Sequence, residues 1–327
     1  MNCKDSYIFP LGVVLEECNC PLGCAKDDRE ILRGFDRING IPGEFTVVRC
    51  NQCELMRTNP RPTPETIGAY YPSDYGPYLG TIAKSKTATP SRLASFAKKF
   101  IDFRCDTIPD IKPGYALEFG CASGSYLQKL AASGWTAEGV EFSPSAAGRA
   151  RDLGFKVHVG AIETVSLPAS KFGLVVGWMV LEHLHQPVTV LKCLHAATTK
   201  GAWLAISVPN CAAPSFTTFL GNWFPLHLPN HLFHFTPDSL RKVLDAGGWE
   251  IKRCMQQRIM VDWMLSSALA RLSLYPESRW ARFVLGLPTG RAGLWLNLFL
   301  YPFALIASSL GAGTRMTVWA QRKDMTC

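Results

Sequence analysis

From residue 115 onward, short apolar runs alternate with amphipathic stretches. The runs at 115–119, 136–141, 155–159, 173–180, 202–208, 249–254 and 315–322 predict strands. The stretches at 124–133, 187–197 and 237–246, and one opening at Pro144 behind Ser143, predict helices. Strand and helix in alternation predict an α/β fold: a Rossmann-like, seven-stranded, mostly parallel sheet with helices on both faces. The first run ends in Glu118-Phe119 and breaks into the small-residue loop Gly120-Cys121-Ala122-Ser123-Gly124. A tight glycine loop between a strand and a helix suits close approach of a ligand to the backbone.

Before residue 115 the pattern changes. Cys18, Cys20 and Cys24 precede a β-branched, alternating run at 43–49, and Cys50 and Cys53 follow it. Two cysteine knuckles around a hairpin-length stretch predict a small zinc-ribbon-like module, with Cys20, Cys24, Cys50 and Cys53 as ligands of a structural Zn2+ and Cys18 competing with Cys20. The prolines of 58–65 predict an extended path. Tyr70, Tyr71, Tyr75 and Tyr78 form either a lid over a ligand or a loop packed down by its rings. Residues 80–90 read as a linker, and Leu93, Phe96, Phe100, Ile101 and Phe103 are spaced as one face of a helix. The chain thus divides into a module at 1–80, a linker and leading helix at 81–109, and an α/β domain at 110–327 that carries an apolar helical insertion at 255–314 before the last strand.

Composition narrows the function. Twelve scattered cysteines and a Cys-x2-Cys pair favour reduced thiols and a metal in the cytoplasm over a disulfide framework. A net charge of +8 suits an ordinary basic enzyme, a phosphorylated substrate or an anionic surface. A non-catalytic zinc-ribbon binding module, with the α/β domain as a scaffold and RNA as a candidate ligand, is an alternative reading, but no dense run of Lys and Arg is interleaved with aromatics, so no nucleic-acid partner is expected.

The glycine loop gains weight from Glu141, which ends the second strand 21 residues beyond Gly120. An acid at that distance can accept both hydroxyls of a ribose. The loop lacks the Gly-x-Gly-x-x-Gly fingerprint of dinucleotide enzymes and the Gly-Lys-Ser/Thr of a P-loop. Leu117-Glu-Phe-Gly-Cys-Ala-Ser-Gly124, Gly139-Val-Glu-Phe-Ser-Pro144, 172–176 with Leu181-Glu-His-Leu184, and Val208-Pro-Asn210 together resemble the successive motifs of class I S-adenosylmethionine-dependent methyltransferases. With the cysteine-rich head, Asn59-Pro-Arg-Pro62 and Asn230-His-Leu-Phe-His-Phe235, the chain is similar to a bacterial branch often found with sugar and cell-surface polysaccharide synthesis. Cys121, Ala122 and Gly173 depart from that pattern.

The resemblance implies roles. Gly120, Cys121, Ala122, Ser123 and Gly124 cradle the methionine end of S-adenosyl-L-methionine, with Glu118 behind them. Glu141 binds the ribose with Phe142 beside the adenine, Ala161 and Ile162 flank the adenine edge, and Trp178 and Met179 line the floor near the sulfonium. The implied reaction is methyl transfer to a saccharide, nucleotide-sugar or lipid-linked glycan, or alternatively to a small molecule or quinone at a membrane. A histidine suits removal of the acceptor's proton. His231 is the first choice, with His183 and His234 behind it, and His185 is also near. Residues 292–314 of the insertion are uncharged. Either they form a lid or dimer interface, or 292–312 rests against the inner face of a membrane; Pro302 predicts a break or kink.

Overall fold

The computed structural model describes residues 9–72, 105–287 and 290–324. The expected linker, the helix at 93–103, Tyr75 and Tyr78 lie outside the described residues. In chain order come strands β1 (Leu15–Glu16), β2 (Asp28–Phe35), β3 (Glu44–Cys50), β4 (Met56–Thr58), β5 (Arg61–Pro62) and β6 (Tyr115–Phe119). Helix α1 (Ser125–Ala132), β7 (Thr136–Glu141), α2 (Pro144–Asp152), β8 (Lys156–Val159), β9 (Phe172–Trp178), α3 (Pro187–Ala197) and β10 (Thr198–Pro209) follow. The chain continues through α4 (Pro214–Phe219), β11 (Phe233–His234), α5 (Pro237–Ala246) and β12 (Trp249–Gln256). It ends with α6 (Val261–Leu274), α7 (Arg279–Gly286), α8 (Gly290–Ser309) and β13 (Arg315–Arg322).

These elements form two compact units. One comprises Asp74–Val208, Leu240–Met255 and Met316–Cys327; the other comprises Met1–Ser73, Pro209–Ser239 and Gln256–Arg315. The histidine loop and the insertion therefore fall in the same unit as the cysteine-rich segment, a grouping that cuts across the sequence-based boundaries at 80 and 110.

The first unit is built on the seven-stranded sheet, ordered β12-β13-β10-β9-β6-β7-β8. The pairs β6–β7, β7–β8, β6–β9 and β9–β10 are parallel. Consecutive buried residues along β6 (Ala116 to Phe119) and β9 (Leu174 to Val176) show strands covered on both faces, because neighbouring side chains point to opposite sides. Tyr126 and Leu130 of α1 pack with Ala116, Leu174 and Val176, while Leu127 packs with Ala147 and Ala150 of α2. The chain leaves β6 toward β7 and β8, then returns to β9 on the other side of β6. That reversal opens a crevice at the carboxyl ends of β6 and β9, where open α/β sheets bind ligands. The last strand lies between β10 and β12, a place the dinucleotide-binding order does not contain.

In the second unit, β2 and β3 form an antiparallel hairpin, β4 extends it, and β11 completes a sheet ordered β11-β4-β3-β2. A separate pair, β1–β5, is clamped from the same region. Arg57 makes a forked pair with Asp28 at 2.9 and 2.6 Å and also donates to the Cys18 carbonyl. Asn59 accepts the Cys18 N–H at 2.7 Å, and Arg61 pairs with Glu16. The Asn59-Pro-Arg-Pro62 stretch thus fastens the segment that enters the cysteine cluster.

The described residues of the insertion include the three helices α6, α7 and α8. Ala281 and Val284 of α7 pack on Ala268 of α6. Helix α8 runs through Pro302 without ending there, so of the expected break or kink the break does not occur. A proline removes one backbone donor, and a helix with one side packed tolerates that loss. The described helices include none long and apolar enough to cross a membrane.

The start of α6 is bolted to the start of β13. Asp262, fully buried, accepts from Arg315 Nε and Nη2 at 2.9 Å each and from Thr314 Oγ1 at 2.7 Å. Asp262→Ala leaves Arg315 and Thr314 without their acceptor. It is expected to cost about 3 kcal/mol or more, read as a lower midpoint in urea denaturation; an unchanged midpoint would show that the pair contributes nothing net.

Candidate cofactor site

The loop after β6 is shaped by contacts that leave no room for side chains. Gly120 has φ +71°, and a Cβ there would lie 2.5 Å from Val180 Cγ2. The backbones following β6 and β9 therefore meet closely at the point where the sheet order reverses. The Gly120 and Cys121 N–H groups both donate to the Val140 carbonyl, at 2.8 and 3.1 Å, which ties the loop to the end of β7. Ala122 also has positive φ, and Gly124, at φ +83°, caps α1 without a side-chain acceptor. The N-cap residue thus claims none of the first N–H groups of α1, although the Leu127 N–H is taken by the Glu118 carboxylate, and the end of the helix remains a favourable setting for an anionic group.

The departure at Cys121 has a packing explanation. Its side chain is buried among Leu127, Ala147, Ala150 and Val157. A Cβ on Gly139 would fall 2.5 Å from its sulfur, so the glycine on β7 supplies the space that Cys121 fills. Burial pushes the Cys121 thiol pKa up, with the Glu118 and Glu141 carboxylates adding to the shift. It faces the core as a neutral thiol, and the loop presents its backbone. Ser123 is also buried.

Glu141 ends β7 and closes over the loop. One carboxylate oxygen accepts the Ala122 N–H at 2.8 Å and the other accepts the Ser143 N–H at 2.8 Å. Burial raises its pKa, and the N–H donors of Ser143, Ala122 and Phe142 oppose that. An ionised carboxylate has about four lone-pair positions, so the backbone donors leave part of its capacity for a ligand hydroxyl. Phe142 beside it is exposed. Behind the loop, Glu118 is buried with its Oε2 lacking a donor, and burial pushes its pKa well above the ordinary carboxylate value. Trp178, at the end of β9, has a buried indole N–H without an acceptor and packs edge-on against Tyr126 at 5.0 Å between centroids. Met179 follows with φ +57°, its N–H bonded to the Ser207 carbonyl. Ala161 and Ile162 lie in the turn after β8, with Ile162 buried. Every residue assigned by resemblance to the cofactor falls in the unit built on the large sheet. Val180, which sets the shape of Gly120, is the participant that sequence reading missed; its signal is its place directly after β9.

Residues 91–253 match the methyltransferase domain family. The sheet order agrees with that family's Rossmann-like fold. Solved structures similar to the chain include an S-adenosylmethionine-dependent methyltransferase from Mesorhizobium loti, with 15% identity, a TM-score of 0.45, and coverage of 66% of this chain and 94% of that one. A possible histamine N-methyltransferase from Thermotoga maritima has 16% identity, a TM-score of 0.44 and coverage of 65% and 84%. The [4+2]-cyclase SpnF has 13% identity, a TM-score of 0.48 and coverage of 80% and 97%. No curated protein matches the sequence.

The histidines occupy different settings. His183 lies half-buried in the turn after β9, in the unit that holds the methyltransferase loop, and its N–H donates to the Val180 carbonyl. His231 and His234 lie in the other unit. His231 is buried and its Nδ1 is 2.9 Å from the Pro225 carbonyl, which calls for an N–H at that nitrogen. His234 is buried in β11 with Nε2 3.1 Å from Thr58 Oγ1, and Thr58 Oγ1 also donates to the His231 carbonyl. Asn230 donates to the Tyr70 carbonyl. The Asn230-His-Leu-Phe-His run is thus bonded into the small sheet and the loops around it.

The cysteine cluster is equally defined. The sulfurs of Cys20, Cys24, Cys50 and Cys53 all lie within 4.8 Å of one another, and Cys20 and Cys53 are 3.4 Å apart. A tetrahedral ion with Zn–S bonds of about 2.3 Å needs sulfurs about 3.8 Å apart, so the four fit that geometry. Cys18 points its sulfur to the Asn19 carbonyl and stands outside the cluster.

Burial of His234 gives a pH signature. Its pKa is lowered from 6.5 to about 3, so the unfolded chain binds a proton near pH 6.5 that the folded chain refuses until about pH 3. Stability is therefore expected to fall as pH drops through that window, by up to about 1.4 kcal/mol per pH unit. His234→Gln should flatten the slope of denaturation midpoint against pH; an unchanged slope would assign it to other groups.

Proposed function

We propose that the protein is an S-adenosylmethionine-dependent methyltransferase acting on a saccharide, nucleotide-sugar or lipid-linked glycan. The observation that carries this reading is the closure of Glu141 over the loop at the sheet's reversal point, with spare acceptor capacity for a ribose hydroxyl. The start of α1, whose N-cap Gly124 has no side chain, suits the cofactor's carboxylate, and Glu118 Oε2 offers an acceptor without a donor among the described residues. Phe142 would lie beside the adenine, Ile162 and Ala161 at its edge, and Trp178 and Met179 near the sulfonium. The cofactor supplies an electrophilic methyl group; the chain's part is to align it with an acceptor and to take the acceptor's proton. His183 is the histidine that shares the loop's unit, and we assign it that role ahead of His231 and His234.

The cysteine cluster is read as a structural Zn2+ site. Four thiolates close the coordination sphere, so the metal would stabilise the short strands around it and leave no open position for substrate. We place the protein in the cytoplasm, with no nucleic-acid partner. A quinone or other apolar acceptor is the second reading, favoured by the exposed apolar surface of the insertion.

Titration calorimetry with S-adenosylmethionine and with its demethylated product should show binding. Glu141→Ala should weaken it by about tenfold to a hundredfold, the value of a charge-assisted bond to a hydroxyl. Absence of heat in a folded sample would overturn the reading. Metal analysis of purified protein should give one zinc per chain, lost in Cys53→Ser; metal-free, stably folded protein would remove the zinc assignment.

A further inference from the structure

Helix α8 presents an apolar face outward. Trp295 is 71% exposed, Phe299 74%, Phe303 58%, Ile306 60% and Leu310 78%. At 100° per residue these five fall within about 80° of arc, and they span about 22 Å along the axis. The opposite side is the packed one: Gly293 and Ala304 are buried, with Asn297 and Leu300 half-buried between them. A surface helix ordinarily turns its polar side to water; here the water-facing side is aromatic and aliphatic. The neighbouring helix repeats the arrangement. On α7, Ala281 and Val284 are buried while Trp280 and Phe283 are exposed.

The charge around this face is predominantly positive; its acid is the exposed Glu277 just before α7, which pairs with Arg282 at 2.8 Å and leaves Arg279 and Arg291 in excess. Residues 279–314 contain three arginines and no acid. Arg279 and Arg282 are exposed on α7, beside Trp280 and Phe283. We infer that α7 and α8 dock in the plane of an anionic lipid bilayer, with the aromatics sunk to the level of the headgroups and the arginines meeting phosphate. Three observations favour this occupant. Exposed Trp and Phe beside arginine match the interfacial belt of membrane proteins. The described helices include no membrane span, so contact in the plane is the mode left to the face. A second copy laid on the same face would bring its own acid-free, arginine-bearing segment against this one, a like-charge rim that an anionic bilayer does not impose. The inference does not depend on cofactor binding, and it narrows the acceptor to one reached at a lipid surface.

The test is vesicle flotation of the full chain, without cofactor, on phosphatidylcholine alone and on phosphatidylcholine mixed with phosphatidylglycerol. The chain should float with the mixed vesicles, and added salt should weaken that binding. Arg279→Gln and Arg282→Gln should each lower affinity by about fivefold, and a Trp295→Ser/Phe299→Ser/Phe303→Ser variant should lose flotation while keeping its circular dichroism spectrum and melting temperature. Failure of the wild type to float with either vesicle overturns the inference, as does a triple variant that floats undiminished. Self-association of the wild type that the triple variant abolishes, with no vesicle binding, would instead make the face an interface between copies.

Discussion

The candidate site depends on a missing atom. Gly120 must turn through φ +71° while Val180 sits where its Cβ would be. Any side chain there forces apart the two loops that leave β6 and β9, and those loops are the walls of the crevice created by the sheet's reversal. Other features follow from that closeness. With the loop pinned to the Val140 carbonyl, the end of β7 comes beside it, and Glu141 can reach both Ala122 and Ser143. The loop then carries side chains only where they point away, so Cys121 is accepted because Gly139 makes room for it on the neighbouring strand. Two glycines and one cysteine thus solve a single packing problem, and the ligand-facing surface is left to the backbone.

The other unit is governed by closure of a small sheet. Strand β4 has three residues and β11 two, too few to be stable alone. They are held because the Thr58 hydroxyl bonds both the His231 carbonyl and the His234 ring, and because Arg57 and Arg61 are buried against Asp28 and Glu16. So dense a set of buried polar contacts in a thin module is sensitive to loss of any member, since each leaves a partner unsatisfied. The four sulfurs stand at the opposite end of the β2–β3 hairpin from its turn, where Cys50 pairs with Asp28. A metal there would fasten the end of the hairpin that the buried polar contacts also hold.

Local pattern was enough for the large sheet. The runs at 115–119, 136–141 and 315–322 coincide with β6, β7 and β13, whose apolar residues mark each strand even where charged ones are interspersed. The four clustered cysteines could be picked out by spacing, although only the structure shows why Cys18 is excluded: Asn59 and Arg57 hold its backbone elsewhere. The histidine loop was less legible. Its polarity among apolar residues suggested a catalytic edge; that two of its residues also form β11, by pairing with β4 more than 170 residues earlier in the chain, is not legible there. No periodicity within six residues can report such a partner. Pro302 shows the opposite case: packing along one side of α8 carries the helix through a residue that locally disfavours it.

The insertion sharpens what an exposed apolar face signifies. Burying one side of α8 does not require the other side to be aromatic; serine or lysine at Trp295, Phe299 and Phe303 would leave the packed contacts of Gly293 and Ala304 untouched and would lower the tendency to aggregate. Folding of this unit therefore gives no reason for those rings. Their exposure is tolerable only if something covers them for part of the molecule's life, and the acid-free run of 279–314 restricts what that can be. The same helix meets two environments: its packed side is fixed by the protein, and the partner inferred for its outer side is a surface apolar within and anionic at its edge.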